Sequence, residues 1–446
     1  MAGSIWFHMR YNVQRSLENR QIFIYGILTA PFALTTLAVV VVLPTFYAVD
    51  RGLGLSLVGF IFAAASFIDV LLEPIVGHLS DRTRSRFGQR RPWLVVGAPC
   101  LAASTWLLFH PMAGSGLGYL VTACALFFLS YMIFEIPYAS IGLEISPHIH
   151  ERSLLAASRA TFQVVGALAG SLVISISVGA ELALSRLALI TAAVTSLGLV
   201  LLLLFVPDRS GAIPPQRESF VSSLKRVMAQ QTFRRLILTF FLIQSANALF
   251  AGLAILFITQ TAGDKALVGP ALGIMILASA VFLPVWVYLS RRFDKKISWA
   301  VSMVLSIALL LAVPLLGPGE TPAILALCAT MGAVFGCDIV MPTSILADIV
   351  YVSDRSGKGK LGATFHAMKN ASSKITFVIP VGIAFPLLDL AGFNSTGSNG
   401  PFQRHVLVFF FALLPAILRL GALFVCLKLR LPAKSTEGTH GPLQHV

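Results

Sequence analysis

Charge is what this 446-residue chain has least of: Asp, Glu, Lys and Arg make up 12% of it, against 57% hydrophobic residues. A soluble domain carries roughly 25% charged residues, so a water-soluble globule of this length is excluded. Acids are the scarcer sign, at 19 against 33 Lys and Arg. The five cysteines (Cys100, Cys124, Cys328, Cys337, Cys426) all fall in apolar runs without zinc-ligand spacing, and read as small packing residues. There is no G-x-S-x-G, H-E-x-x-H or phosphate-binding P-loop. The chain is therefore read as no enzyme, with no catalytic residue, metal or cofactor, and without ATP-driven transport. Residues 1–21 hold Arg10, Arg15 and Arg20 but no apolar core or small-residue cleavage site, so no removable signal peptide is expected.

What is present is hydrophobic length. A membrane helix needs about 20 mostly apolar residues. Twelve segments qualify: 22–48, 55–79, 93–110, 117–142, 157–180, 184–206, 234–260, 267–290, 297–316, 322–349, 363–390 and 404–429. The expected fold is all-α and polytopic, with two six-helix bundles at 1–206 and 234–430. Between them, 207–233 is a polar middle loop in which Phe220, Leu224, Val227 and Met228 recur at helical spacing, predicting a short amphipathic helix. Residues 431–446 form a polar tail. An echo supports duplication: the second and third segments are joined by S-D-R-T-R-S-R-F-G-Q-R-R, the eighth and ninth by S-R-R-F-D-K-K. Six-helix repeats are a usual build of transporters that hold their substrate near the membrane midplane. Gly166/Gly170 and Gly332/Gly336 have the G-x-x-x-G spacing that lets helices approach closely.

The net charge of +14 raises the question of nucleic acid, but its distribution answers it. About 25 of the 33 Lys and Arg lie in even-numbered connections and at the two ends of the chain, and 4 (Arg51, Arg186, Lys265, Arg404) in odd-numbered ones. That asymmetry puts both termini in the cytoplasm. The implied partner is the lipid bilayer of a cell membrane, as in a bacterial inner membrane, and neither nucleic acid nor an obligate protein.

Ser66 to Trp93 organises the chain. Asp69 and Glu73 lie four apart, on one face of the second segment. Two acids in a membrane helix are costly and functional by default, and such a pair wants a cation or a proton. The loop that follows holds Asp81, Arg82, Arg90 and Arg91, expected to clasp neighbouring helix ends during conformational change. Glu135 lies in F-E-I-P-Y-A-S, where Pro137 is expected to loosen the helix. Arg159 opens the fifth segment; it pairs with Glu135 or shares a polyol with it, since a guanidinium fork suits two neighbouring hydroxyls or an anion. Lys374 in the eleventh segment, with Lys369 a turn and a half earlier, is a candidate to approach the two acids. Gln244, Asn247 and Asp338 read as hydrogen-bonding residues, and His78, His366 and Arg419 as side chains reaching out from helix ends.

D-x-x-x-E-P-x-x-G followed by S-D-R-T-R-S-R-F-G-Q-R-R-P-W resembles the signature of the glycoside–pentoside–hexuronide:cation symporters, the melibiose-carrier branch of the major facilitator superfamily. Tyr25-Gly26, E-I-P-Y-A-S, Glu151-Arg152 before Arg159, and Asp348, Gly357, Lys360, Gly362 and Lys374 extend it over most of the chain. The resemblance implies that Asp69 and Glu73 bind the coupling cation, that Glu135 and Arg159 bind substrate, and that Lys374 lies near the cation site. Departures accompany it. Phe32 and Ala33 replace a Lys-Asp pair that binds galactosides, Ala139 an aromatic, and Leu72 and Met132 an asparagine and a threonine.

The expectation is a cation-coupled symporter of a small polar solute, a sugar, glycoside or sugar acid, working by alternating access. Two alternatives stay open: a carrier of lysolipid-like amphiphiles, which animal members of the family resemble, and a non-transporting membrane sensor. For the ion, Leu72 and Met132 offer none of the neutral oxygens that sodium needs, leaving Ser66 as a nearby hydroxyl, so a proton is expected ahead of sodium.

Overall fold

Backbone amides and carbonyls cannot stay unpaired in hydrocarbon, which leaves an apolar chain of this kind only helices or a closed barrel. The computed structural model describes residues 17–83, 85, 87–112, 114–145, 149–206, 220–263, 265–317, 319–355, 362–376, 378–394 and 399–429. Among them there are helices and no strand. The polar tail, most of the middle loop, Gly357 and Lys360 lie outside the described residues, as do the side chains of His78, Asp81, Arg152 and His366.

Eleven helices among the described residues are long and apolar enough to cross a membrane. In chain order the first six spans are Asn19–Asp50, Leu55–Arg82, Arg91–Phe109, Leu117–Glu144, Ile149–Ser175 and Ala180–Phe205. The seventh to tenth are Gln231–Ala262, Val268–Phe293, Lys295–Ala312 and Thr321–Arg355, and the twelfth is Pro401–Leu427. The eleventh of the twelve expected segments runs as Gly362–Thr376, then Pro380–Ala384 and Phe385–Leu390. Its first part is neither long nor apolar enough to count as a span. Thr364, His366, Lys369, Asn370, Ser372, Ser373, Lys374 and Thr376 make it more than half polar, a composition suited to lining a water-filled space and not to facing lipid. The middle loop carries the short helix Phe220–Ala229, with Val227 buried in the cluster around Phe233.

Two local expectations are corrected. The fourth span runs through Pro137 as one α-helix, so the proline does not open it. The fifth span begins at Ile149, so Arg159 sits nearly three turns inside the helix and not at its start. Helical distortion falls elsewhere, in π-helical turns at Ala38–Val42, Phe46–Asp50, Pro380–Ala384 and Phe409–Leu413. Pro44, Pro380 or Pro415 lies within two residues of each, and a missing N–H favours such a widened turn.

Bare backbone lets these spans pack closely. Gly166 faces the Ala30 backbone of the first span, and Gly332 the Met275 backbone of the eighth, so a Cβ at either would clash. The two halves meet along the second and eleventh spans and along the fifth and eighth. On the side of the odd-numbered connections, Ser56 donates a 2.5 Å hydrogen bond to Asp389, and Gly269 and Gly273 lie against Ser175 and Ser171. On the basic side, Arg90 bonds Ser80 at 2.8 Å, Arg91 donates to the Val206 carbonyl at 2.8 Å, and Lys295 pairs with Asp348 at 2.6 Å. Arg82 is exposed.

Candidate functional site

The helical spacing of Asp69 and Glu73 aims both carboxylates across the seam between the halves. Lys374, from the polar part of the eleventh span, lies 3.1 Å from Asp69 Oδ2 and 3.0 Å from Glu73 Oε2. Two acids four residues apart and a lysine some 300 residues further along the chain thus form one bridge. Asp69 is the most enclosed of them, and its other oxygen, Oδ1, is buried without a hydrogen-bond partner. A buried carboxylate oxygen left unpaired costs free energy, and a bound cation or proton would satisfy it.

The second charge pair stands beside the first. Arg159 Nη2 is 3.5 Å from Glu135 Oε1, and Glu135 lies within electrostatic reach of both Asp69 and Lys374. Aromatic groups position the arginine, whose guanidinium lies 5.1 Å from the centre of the Tyr138 ring. Tyr138 is fixed in turn: its hydroxyl donates to the Tyr25 carbonyl at 2.5 Å and lies 2.9 Å from Thr29 Oγ1, and its ring stacks on Tyr25. Gly142 and Gly26 make room for this arrangement, since a Cβ on the former would strike the Tyr25 ring and on the latter Ser158.

Beside Glu135 and Arg159 is a small cavity of about 110 Å³, lined by Thr29, Phe32, Ala33 and Thr36 of the first span, Tyr131 and Glu135 of the fourth, and Arg159 and Gln163 of the fifth. Phe32 forms an aromatic wall with Tyr131 and Tyr138, at centroid distances of 5.2 and 5.7 Å. Where the resembled carriers have an acid for galactoside hydroxyls, this chain has apolar surface. Glu135 and Arg159 are therefore the charged groups of the lining. Met132 is buried and, like Leu72, brings no oxygen.

One reading from the sequence is overturned. Arg419 does not reach out of a helix end: it is fully buried and pairs with Asp338 at 2.9 Å. It also donates to Ser306 Oγ at 2.8 Å and to the Asn247 carbonyl oxygen. Trp299 Nε1 donates to Asp338 at 3.2 Å, and Asn247 donates to both Asp338 and Gln244. The C-terminal half thus has its own polar network. The signal for it was there, since a lone acid and a lone arginine in two apolar spans of one bundle have each other as the cheapest partners. Among the described residues no group of three or more His, Cys, Asp or Glu is arranged to hold a metal ion.

Comparison with known proteins shows the family and the fold. The profile of the family described as MFS/sugar transport protein matches residues 24–433. The sodium-dependent lysophosphatidylcholine symporter 1 of Gallus gallus is 25% identical over 385 residues, covering 76% of this chain and 72% of that protein. A putative glycoside/cation symporter of Escherichia coli K12, YagG, is 29% identical over 148 residues, covering 32% of each chain. A crystal structure of the nucleoside transporter NupG, in mutant form, superposes with a TM-score of 0.69 at 13% identity, over 91% of this chain and all of that one. At that identity the likeness is one of fold.

Proposed function

The chain belongs to the MFS/sugar transport protein family, as a multi-pass secondary transporter of the glycoside–cation symporter kind, and from that premise we propose that it carries a small polar solute together with a cation. The solute, a sugar, glycoside or sugar acid, sits in the cavity and engages Glu135 and Arg159, with the Phe32 wall against its less polar face. The cation sits at Asp69 and Glu73. Both termini and the basic connections face the cytoplasm of a bacterial cell.

One observation carries this reading: Lys374 of one half bridges two acids of the other, next to the Glu135–Arg159 pair. In the arrangement observed the lysine supplies the positive charge that both carboxylates face. An arriving cation competes with it for the carboxylates and so changes what ties the halves together. Because Glu135 feels the same charges, cation and solute binding are linked, and the linkage is reciprocal. The ion is a proton on this reading: it needs one carboxylate and no coordination shell, and the neighbouring Leu72 and Met132 supply no neutral oxygen.

A second reading, a lysolipid-like solute moved with sodium, draws on the likeness to the Gallus gallus symporter and on the apolar Phe32 and Ala33. Reconstituted vesicles separate the two. Labelled sugars, sugar acids and lysolipids are offered under a proton gradient or a sodium gradient imposed separately. Proton-driven accumulation of a sugar or sugar acid, lost in Arg159→Ala and in Asp69→Asn, is expected. Sodium-driven accumulation at equal pH on both sides, lost in Asp69→Asn, would overturn the choice of ion. Accumulation of lysolipid alone would overturn the choice of solute.

A further inference from the structure

Of the four cations inside the apolar segments, three face acids: Arg159, Lys374 and Arg419. Lys369 does not. Its ammonium lies 5.3 Å from the centre of the Phe240 ring on the seventh span, and no carboxylate pairs with it among the described residues. An uncompensated cation at membrane depth is costly to keep. Three residues on, one turn along the same face, Ser372 is buried and its hydroxyl has no hydrogen-bond partner. Four residues on from Phe240, Gln244 accepts from Asn247 at 3.2 Å through its carbonyl oxygen, and its amide N–H groups have no acceptor among the described residues.

These groups share one level. The seventh and eleventh spans run in the same direction, and Phe365 packs on Phe233 at 4.9 Å before Lys369 reaches Phe240. The next turn of each helix carries Ser372 on the eleventh span and Gln244 on the seventh. Asn370 beside Lys369 is exposed, and more than half of Gly362–Thr376 is polar, a composition suited to a water-filled space. Donors gathered without an acceptor await an anion. The network from Arg419 through Asp338 and Asn247 holds Gln244 in place.

We propose that Lys369, Ser372 and Gln244 form an anion-recognising subsite in the C-terminal half, which takes a carboxylate or phosphate group of the transported solute. The proposal rests on the solute-binding reading of the Glu135–Arg159 cavity and narrows it to anionic solutes. The charges agree with it. Asp69, Glu73 and Glu135 against Lys374, Arg159 and Lys369 sum to zero, and adding one cation and one monoanion leaves zero. The loaded site then changes the side it faces without net charge.

The test titrates purified full-length protein in detergent with D-glucuronate and glycerol 3-phosphate, and with their uncharged counterparts D-glucose and glycerol, reading binding by calorimetry and thermal stabilisation. At least one anion is expected to bind tighter than its counterpart by about tenfold or more, as for a hydrogen bond to a charged group. Preference for glucuronate marks a carboxylate, and preference for glycerol 3-phosphate a phosphate ester such as a lipid headgroup carries. Lys369→Gln should abolish the preference, Lys369→Arg should keep it, and Ser372→Ala should weaken it. Equal binding of the uncharged counterparts, no binding of either anion, or a preference that survives in Lys369→Gln overturns the proposal. An anion preference kept in Lys369→Gln and lost in Arg159→Ala overturns the subsite while the proposed function stands. Binding unchanged in Arg159→Ala instead removes the cavity reading itself.

Discussion

Replacing Lys374 with methionine keeps most of the side chain's volume and removes the charge that bridges Asp69 and Glu73. At 3.1 and 3.0 Å, each contact amounts to about 5 kcal/mol of Coulomb attraction at an effective dielectric of about 20. Desolvation and the mutual repulsion of the acids offset most of that. The lysine and Glu73 keep 26% and 30% of their side-chain surface, so solvent screens them further. A net cost of about 2 kcal/mol for leaving the acids uncompensated is a fair reckoning, below the 3–5 kcal/mol of a fully buried broken pair. An entering cation recovers that cost, so Lys374→Met should bind the coupling ion about 30-fold more tightly. The same variant should lose gradient-driven accumulation while still exchanging labelled for unlabelled solute, because the internal cation that resets the empty carrier is gone. The pH dependence of solute binding to the purified protein, paired with uptake and counterflow in vesicles, reads both effects. Ion affinity unchanged or weakened in Lys374→Met would refute the competition between lysine and ion.

Asp338→Asn or Arg419→Met should each lower stability by about 3–5 kcal/mol, since both partners are almost fully buried; Asp338→Leu with Arg419→Met should restore most of it, read as thermal denaturation in detergent. Ser56→Ala removes the bond to Asp389 across the halves, and should shift the carrier towards opening on that side, measured as faster labelling of a cysteine introduced into the cavity, with solute affinity unchanged. Gly166→Leu should prevent the first and fifth spans from closing on each other and abolish folded yield, whereas Gly116→Leu, with open space around it, should not.

Helical patterning was legible because hydrocarbon allows so few alternatives. The spacing of Asp69 and Glu73 on one face, and Lys374 as their partner, could be read because charge in an apolar run must be matched. Arg419 was misread because one-dimensional position near a helix end does not distinguish a side chain that escapes to water from one that turns inward. The partner that decides it, Asp338, is 81 residues away. Pro137 misled for a related reason: a proline's effect depends on whether neighbouring spans hold the helix straight. The π turns beside Pro44, Pro380 and Pro415 are set by packing that no local pattern reports. Lys369 was visible as a residue but not as an unpaired one, since lack of a partner is a property of the folded surroundings.

The bridge across the halves has a consequence for how the protein is made. Glu135 finds Arg159, and Asp338 finds Arg419, within a single half, so each pair can form soon after its own bundle enters the membrane. Asp69 and Glu73 cannot. Their partner is Lys374, about 300 residues further along, and at 5–20 residues per second a ribosome needs roughly 15–60 s to reach it. Through that interval the second span lies in the bilayer with two acids and no lysine, and they must be neutralised by protons, reached by water, or shielded by the insertion machinery. The order of synthesis thus makes the N-terminal half, alone, the most vulnerable species in the life of this carrier.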